Sequence, residues 1–446
     1  MLLPVWDAIQ RGLDGQRFLV VWPVAQVARR WVERLSVLGL PTPFVLGLYD
    51  GPSAPLPLPA THLHVLRPGP LPPRDPDDSL FEQWQRAVRA LPASALDAIQ
   101  RWDPEGTAVV LVPPAAELTE VAGRRVFGGT PPIRSEIENK VRVDALFSKL
   151  GIPTAPHAVV PLARADTTAA TLDQGHGTVW AGDNTTTIEA GAKALARVHT
   201  PATRARAHSL FAGRCETVRI QPFLPGVPCS IQGICTPDGV ALTRPTEMLV
   251  LHAPTTGEFF LVGMATTWAP PTAVTHQLRE MAHTVGQHLA SAHSWRGGFS
   301  VDAIAAPDGT VWPTEVNARM SAGLAMVDGL LPGPSLEFVE RLLREGLPIG
   351  VTAARLEQWW SRPLRARRHA HVRLKGLPIP DTPQTIQDAL PHAILRWERE
   401  GSQGVLKLEL DPTRTPRGIR VAPIVEQALQ LAHQHWKLPV EHWRAA

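Results

Sequence analysis

Two turns with the same three residues constrain this chain more than any other feature. Pro237-Asp238-Gly239 and Pro307-Asp308-Gly309 are each flanked by stretches in which apolar residues alternate with others. Asp-Gly between such stretches signals a β-hairpin, because both central residues of a two-residue turn must accept positive φ. Counting outward from an Asp308-Gly309 turn sets Asp302 opposite Glu315 and Ser300 opposite Asn317. All four side chains then share one face, since side chains alternate with period two. Two carboxylates directly across a ladder repel each other and need something positive between them. Asp302, Glu315 and the Asn317 amide are hard oxygen donors. Such a set suits Mg²⁺, or Mn²⁺ in its place, better than zinc and leaves coordination positions for phosphate oxygens. Arg319 adds a cation on the same side if the strand persists. The plainer alternative is a solvated face with unrelated acids; the apolar opposite face of Phe299, Val301 and Val311 stands against it. Counted the same way, the other hairpin places Ser230 opposite Glu247, with Arg244 near the turn. Glu247 and Arg244 either meet the amine and carboxylate of an amino-acid-like substrate or form a local ion pair.

At 446 residues the chain is long enough for several domains. Its 45 prolines, about one residue in ten, favour many short elements joined by stiff connections. With 44% apolar and 19% charged residues, neither a wholly disordered chain nor a membrane bundle fits. Lys and Arg number 44 against 41 Asp and Glu, and a net charge of +3 is too weak to make nucleic acid the main partner. Lysine is scarce, occurring only at Lys140, Lys149, Lys193, Lys375, Lys407 and Lys437. Cys215, Cys229 and Cys235 show no metal or disulfide spacing, which fits a reducing, cytoplasmic setting. No stretch reaches the roughly 18 apolar residues of a spanning helix, so no membrane association is expected. A homodimer stays open.

Along the chain, Phe18 to Trp22, Ala25 to Leu38 and Phe44 to Leu48 read as strand, helix and strand, the start of an α/β domain over 1–134. The proline-dense stretch from Gly51 to Asp78 reads as a surface excursion. Helical patterning resumes from Leu80 to Leu91, and Ala108 to Val112 reads as a buried strand. A helix capped by Ser135 is expected next, with Val141, Leu146 and Leu150 as its buried stripe and Gly151 as its end. After it come a strand from Thr178 to Ala181, a polar loop, and a helix from about Glu189 to Val198. A helix is also expected from Ser335 to Glu345. The last hundred residues hold a strand-like Gly404 to Leu410 and an arginine-rich run from Arg362 to Arg373, read as a solvated face.

Several of these segments together resemble the ATP-grasp superfamily, to which D-alanine-D-alanine ligases and carbamoyl-phosphate synthetases belong. They are Asn139-Lys140, Leu150-Gly151-Ile152-Pro153-Thr154, Gly297-Gly298-Phe299-Ser300-Val301-Asp302 and Thr314-Glu315-Val316-Asn317-Ala318-Arg319. The resemblance covers roughly residues 135 to 335. It implies an α/β and α+β multidomain fold: an N-terminal α/β domain (1–134), then two α+β lobes enclosing ATP (135–217 and 218–350). Residues 351–446 form a C-terminal region without a readable motif. It further implies an ATP-dependent ligase that activates a small-molecule carboxylate as an acylphosphate and joins it to an amine, with amino acids or peptides as natural candidates. A regulatory nucleotide-binding homologue and a kinase on the same fold are the alternatives.

By this resemblance Asp302, Glu315 and Asn317 bind the metal, and Arg319 meets the transferred phosphate. Lys140 contacts the nucleotide phosphates, unless it is simply an exposed helix lysine. Val218 to Gly226 is similar to the hinge between the lobes, bringing Gln221, Phe223 and Leu224 to the adenine, although both apolar residues also suit a core. Thr185 and Thr186 lie in the segment similar to the phosphate loop, and Arg296, ahead of two glycines, is a second candidate for a carboxylate or phosphate contact. Three departures stand out. Trp180 and Ala181 occupy the place of the family's second lysine, threonines replace a glycine-rich cradle, and Pro228 stands where a ribose-binding glutamate is usual.

Overall fold

The strand, helix and strand read between Phe18 and Leu48 form as β1 (Phe18–Val24), a helix over Arg29–Val37, and β2 (Phe44–Tyr49). The computed structural model describes residues 3–51, 55–69, 79–183, 194–387, 389–400, 403–440 and 442–446. The chain divides into two compact units, one of residues 1–132, 332–351 and 399–404, the other of 133–331, 352–398 and 405–446.

In the first unit β1 and β2 join β3 (Leu63–Val65) and β4 (Val109–Leu111) in a parallel sheet of order β3-β2-β1-β4. β2 is buried throughout and β1 nearly so, which explains their unbroken apolar sequences. Ser79 and Glu82 form a reciprocal cap for the helix Leu80–Arg89. A short hairpin of β5 (Glu120–Val121) and β6 (Arg124–Arg125) follows. The helix Leu336–Arg344 belongs to this unit as well. Its Phe338 ring packs edge-on against Trp31 at 5.2 Å, and Arg341 donates to the carbonyls of Val112 (2.6 Å) and Phe127 (2.7 Å).

The second unit opens with two short helices, Arg134–Ile137 and Val143–Lys149, in place of the single expected helix. Ser135 lies inside the first and does not cap it. The Asn139 side chain accepts from the Val141 N–H at 3.0 Å, a local bond that competes with helix continuation. The break rotates the buried stripe, so Val143 and Phe147 fill the core while Val141, Leu146 and Leu150 are only partly buried. Gly151, at φ +68°, ends the second helix as expected.

An antiparallel sheet of order β7-β10-β8-β9 is built from β7 (Ala158–Pro161), β8 (Thr178–Gly182), β9 (Leu195–Val198) and β10 (Thr217–Pro222). β9 overturns the helix expected up to Val198. Ala196 and Val198 are buried in alternation, so the stretch has period two and pairs with β8. Residues 189–193 lie outside the described residues.

The larger sheet holds eleven strands among the described residues. They are β11 (Val227–Thr236), β12 (Gly239–Leu242), β13 (Thr246–His252), β14 (Phe259–Ala265), β15 (Gly297–Ala305), β16 (Val311–Asn317), β17 (Ala370–Leu377), β18 (Gln384–Ile386), β19 (Ala393–Glu400), β20 (Gln403–Leu410) and β21 (Arg444–Ala445). Their order is β16-β15-β11-β13-β14-β17-β20-β19-β18, with β12 beside β11 and β21 beside β13. The helix Thr272–Ala292 contributes Leu278, Val285 and Leu289 to the core shared with Phe299 and Val301 of β15. Among the described residues no helix is long and apolar enough to cross a membrane.

One hairpin departs from the expected register. Thr236 pairs with Gly239 around a Pro237-Asp238 loop, and the chain then leaves the ladder at 243–245 before β13 begins. The loop sits one residue earlier than expected, which moves the pairing by two, and the break returns one, so Glu247 stands beside Cys229 and Ser230 beside Thr246. Glu247 also has a structural partner set in place of a substrate. Fully buried, it accepts from the N–H groups of Val421 (2.6 Å) and Ala422 (3.2 Å) and from Arg420 Nε (3.2 Å), closing the start of the helix Ala422–Trp436. Arg244 turns away and donates to the Trp268 carbonyl at 2.8 Å. A buried carboxylate at a helix N-terminus combines charge-assisted bonds with the helix dipole. Glu247→Ala should therefore lower the unfolding free energy by about 2–3 kcal/mol in a urea titration, with Glu247→Gln recovering part of the loss.

Candidate active site

The β15–β16 hairpin brings Asp302 opposite Glu315 and Ser300 opposite Asn317, the pairing read from the sequence. Two offsetting features produce it. Near the turn Ala305 pairs with Val311, and Gly309 at φ +87° closes a loop one residue longer than the expected two-residue turn. Between Ala303↔Pro313 and Asp302↔Glu315 the register shifts, leaving Thr314 as an extra residue. Pro313 cannot donate to a ladder, so a bulge beside it is sterically natural. The bulge restores the face-to-face placement of the two acids.

The positive group that such a pair needs is Lys140, held at the break between the two short helices. Its Nζ lies 2.9 Å from Glu315 Oε1, with the lysine side chain 5% and the glutamate 24% exposed. Asp302 takes a short bond from Ser230 Oγ (2.6 Å) and another from the Asn317 amide (3.1 Å). Burial and the charge of Glu315 push the Asp302 carboxyl above its ordinary range, opposed by the Ser230 hydroxyl, Arg319 and Lys140. The Asn317 oxygen accepts from Arg319 at 3.0 Å, and Arg319 also meets Glu138 (3.3 Å), itself paired with Arg134 (2.8 Å). On the other side Gln232 donates to Ser230 at 2.7 Å and accepts from Ser321 Oγ. Gly323 stands so close to the Gln232 amide that a Cβ there would collide with it.

These groups line one end of a cavity of about 430 Å³, a size suited to a small ligand or cofactor. Gln221, Phe223 and Leu224, expected to meet the nucleotide, also line it, together with apolar side chains that include Met248, Leu261 and Ile304. Phe223 carries the Arg197 guanidinium 3.6 Å above its ring. Burial and then the positive Arg197 lower His252 to about 4, so its neutral ring accepts from Arg197 at 3.0 Å and holds that stack in place. Thr185 and Thr186 lie outside the described residues. Arg296 does not join the site: it is not among the residues lining the cavity, and it donates to the carbonyls of Trp295 (2.8 Å) and Ala290 (3.5 Å). On β8 the cavity-facing residues are Val179 and Ala181. Trp180 points the opposite way into the core, edge-on to His208. From the sequence, Gln232 and Arg219 have no site role, and Ser230 is set beside Glu247 and not beside Asp302. Ser230 and Gln232 do leave a signal, since they alternate with the apolar Cys229 and Ile231.

A divalent cation fits this donor set. Two carboxylates of adjacent strands face one cavity, and Ser300 Oγ, 1% exposed, finds no hydrogen-bond partner among the described residues. No cluster of three or more His, Cys, Asp or Glu side chains that could hold a metal forms among the described residues, so a softer His/Cys site has no candidate there.

No family model and no curated protein matches the sequence. Solved structures match most of it. The N5-carboxyaminoimidazole ribonucleotide synthetase purK, solved as its ADP complex, is 13% identical with a TM-score of 0.52, covering 95% of this chain and 97% of that one. The L-amino acid ligase of Bacillus licheniformis is 14% identical with a TM-score of 0.51, covering 89% and 94%. The biotin carboxylase domain of Hydrogenobacter thermophilus 2-oxoglutarate carboxylase, in complex with MgADP, ADP and bicarbonate, is 12% identical with a TM-score of 0.54, covering 93% and 89%. The chain has the ATP-grasp fold, with a parallel sheet in the N-terminal unit and a large antiparallel sheet behind the cavity.

Lys140 offsets the repulsion between Asp302 and Glu315 from a nearly dry position. Lys140→Met should lower stability by about 1–2 kcal/mol in metal-free buffer. Added Mg²⁺ should then raise the melting temperature of the variant by more than it raises the wild type's, as read by differential scanning fluorimetry.

Proposed function

We propose that the protein is an ATP-dependent, ADP-forming ligase that joins a small-molecule carboxylate to an amine. The observation that carries this reading is the placement of Asp302 directly opposite Glu315 at the charged end of a cavity also lined by Gln221, Phe223 and Leu224. A site with paired hard oxygen donors at one end and apolar walls along the rest suits a nucleotide whose phosphates must react while its base is simply held.

In this reading Gln221, Phe223 and Leu224 hold the adenine. Asp302, Glu315 and the Asn317 amide oxygen would hold Mg²⁺. The metal supplies charge neutralisation for the phosphate oxygens. A substrate carboxylate oxygen attacks the γ-phosphorus, the bond to the β-phosphate oxygen breaks, and ADP leaves. The amine nitrogen then attacks the acyl carbon, the phosphate leaves, and the amine gives up a proton. Arg319 and Lys140 hold negative charge on the transferred group, a preorganised electrostatic role that needs no movement at the moment of reaction. Met248, Val250, Leu261 and Met264 line the cavity with apolar surface, which keeps water from an acylphosphate. The likeness to an L-amino acid ligase makes amino acids and dipeptides the first substrates to try. A kinase would instead phosphorylate a hydroxyl, and a regulatory homologue would bind ATP without turning it over.

The test is phosphate release from MgATP in the presence of pooled amino acids, dipeptides and other small carboxylates and amines. Stimulated release with formation of an amide product, reduced at least about 10²-fold by Glu315→Gln, is the expected result. ATP binding without stimulated release under any pool favours the regulatory reading, and a phosphorylated hydroxyl product favours the kinase.

A further inference from the structure

Strand β8 brings no positive charge to the cavity: Val179 and Ala181 face it, and Trp180 is turned into the core. The strand next to it does. In the β8–β10 ladder Arg219 pairs with Ala181, so the two residues share a face about 5 Å apart at their Cα atoms. Arg219 lines the same cavity as Lys140, Asp302 and Glu315, and it is 4% exposed.

Its partners fix it firmly. Asp144, on the second short helix, forms an ion pair with Arg219: its Oδ1 accepts from Nη2 at 2.9 Å, and its Oδ2 lies against Nε. Nη1 donates to the carbonyl of Thr314 at 3.3 Å, the extra residue of the bulge that sets Glu315 opposite Asp302. A guanidinium has five N–H donors in a fixed fork; the hydrogen bonds to Asp144 and Thr314 use two, and the Nε–H lies beside Asp144 Oδ2. Two remain, on a side chain that lines the cavity and cannot lose its charge near neutral pH. Asp144 cancels much of the long-range field of Arg219, but directed N–H groups in a dry site keep their hydrogen-bonding power.

We propose that Arg219 is a phosphate-binding residue of this site, reaching from β10 across the place where Ala181 leaves β8 uncharged, and that its bond to Thr314 ties that contact to the position of Glu315. The proposal rests on the ATP-dependent reading above and adds to it the origin of a second phosphate-side cation. The ligand recognised is the polyphosphate of a nucleotide, and the nucleoside portion makes no demand on Arg219.

The experiment compares wild type, Arg219→Gln, Arg219→Lys and the neutral pair Asp144→Asn/Arg219→Gln, each titrated with MgATP and with adenosine by calorimetry. Arg219→Gln should weaken MgATP binding about 10–100-fold, the size of one or two lost charge-assisted bonds, and leave adenosine within about twofold. Arg219→Lys keeps the charge but not the fork and should recover only part of the MgATP affinity. The neutral pair removes the orphaned Asp144 charge, so it reports the phosphate contact even if Arg219→Gln alone is poorly folded. MgATP affinity unchanged in the neutral pair, or an equal loss for MgATP and adenosine, would overturn the proposal and leave Arg219 as a brace between Asp144 and Thr314. Failure of the wild type to bind MgATP at all would instead overturn the nucleotide reading itself.

Discussion

Asp302 and Glu315 face each other across one pair of antiparallel strands, and the repulsion between them sets the terms for everything around the cavity. Two like charges at that separation persist only if neighbours absorb the field. Lys140 does so from a helix break, Ser230 and Asn317 by donating to Asp302, and Arg319 through Asn317. Each neighbour is itself held by another group: Gln232 donates to Ser230, Ser321 to Gln232, and Glu138 pairs with Arg319. The cavity end is thus a continuous polar network. In a low-dielectric setting such a network specifies one arrangement of side chains, because an unpaired member is costly.

Around Asp302 and Glu315 the charges are balanced locally. Lys140, Arg219, Arg319 and Arg134 stand against Asp302, Glu315, Asp144 and Glu138, four cations to four carboxylates.

How much of this the sequence disclosed depends on how local each contact is. The Asp302 and Glu315 pairing lies within one hairpin and could be counted, although the count succeeded because a longer turn and a bulge at Thr314 offset each other. The same counting failed at Glu247, where the loop sits one residue early and the break at Pro245 makes up only half of the shift. Ser230 meets Asp302 through the pairing of β11 with β15, some seventy residues apart, which no turn announces. Arg219 carried a weaker signal. Val218-Arg219-Ile220-Gln221-Pro222-Phe223 has period two, so a residue two before Gln221 and four before Phe223 shares their face. Lys140 was legible as a scarce residue, while the helix break that aims it depended on Asn139 bonding to the backbone two residues on.

The order of strands in the large sheet carries a consequence for synthesis. β14 pairs with β13 on one side, made within a few residues of it, and with β17 on the other, made about a hundred residues later. During elongation the β15–β16 hairpin is therefore complete while the far edge of β14 is an unpaired row of backbone groups, the kind of edge on which other chains can add. Glu247, a fully buried carboxylate in the finished chain, waits still longer, until Val421 and Ala422 supply the N–H groups that satisfy it. Residues 370–446 add strands β17 to β21 to this sheet and the N–H groups that satisfy Glu247, so both come from chain made after the β15–β16 hairpin.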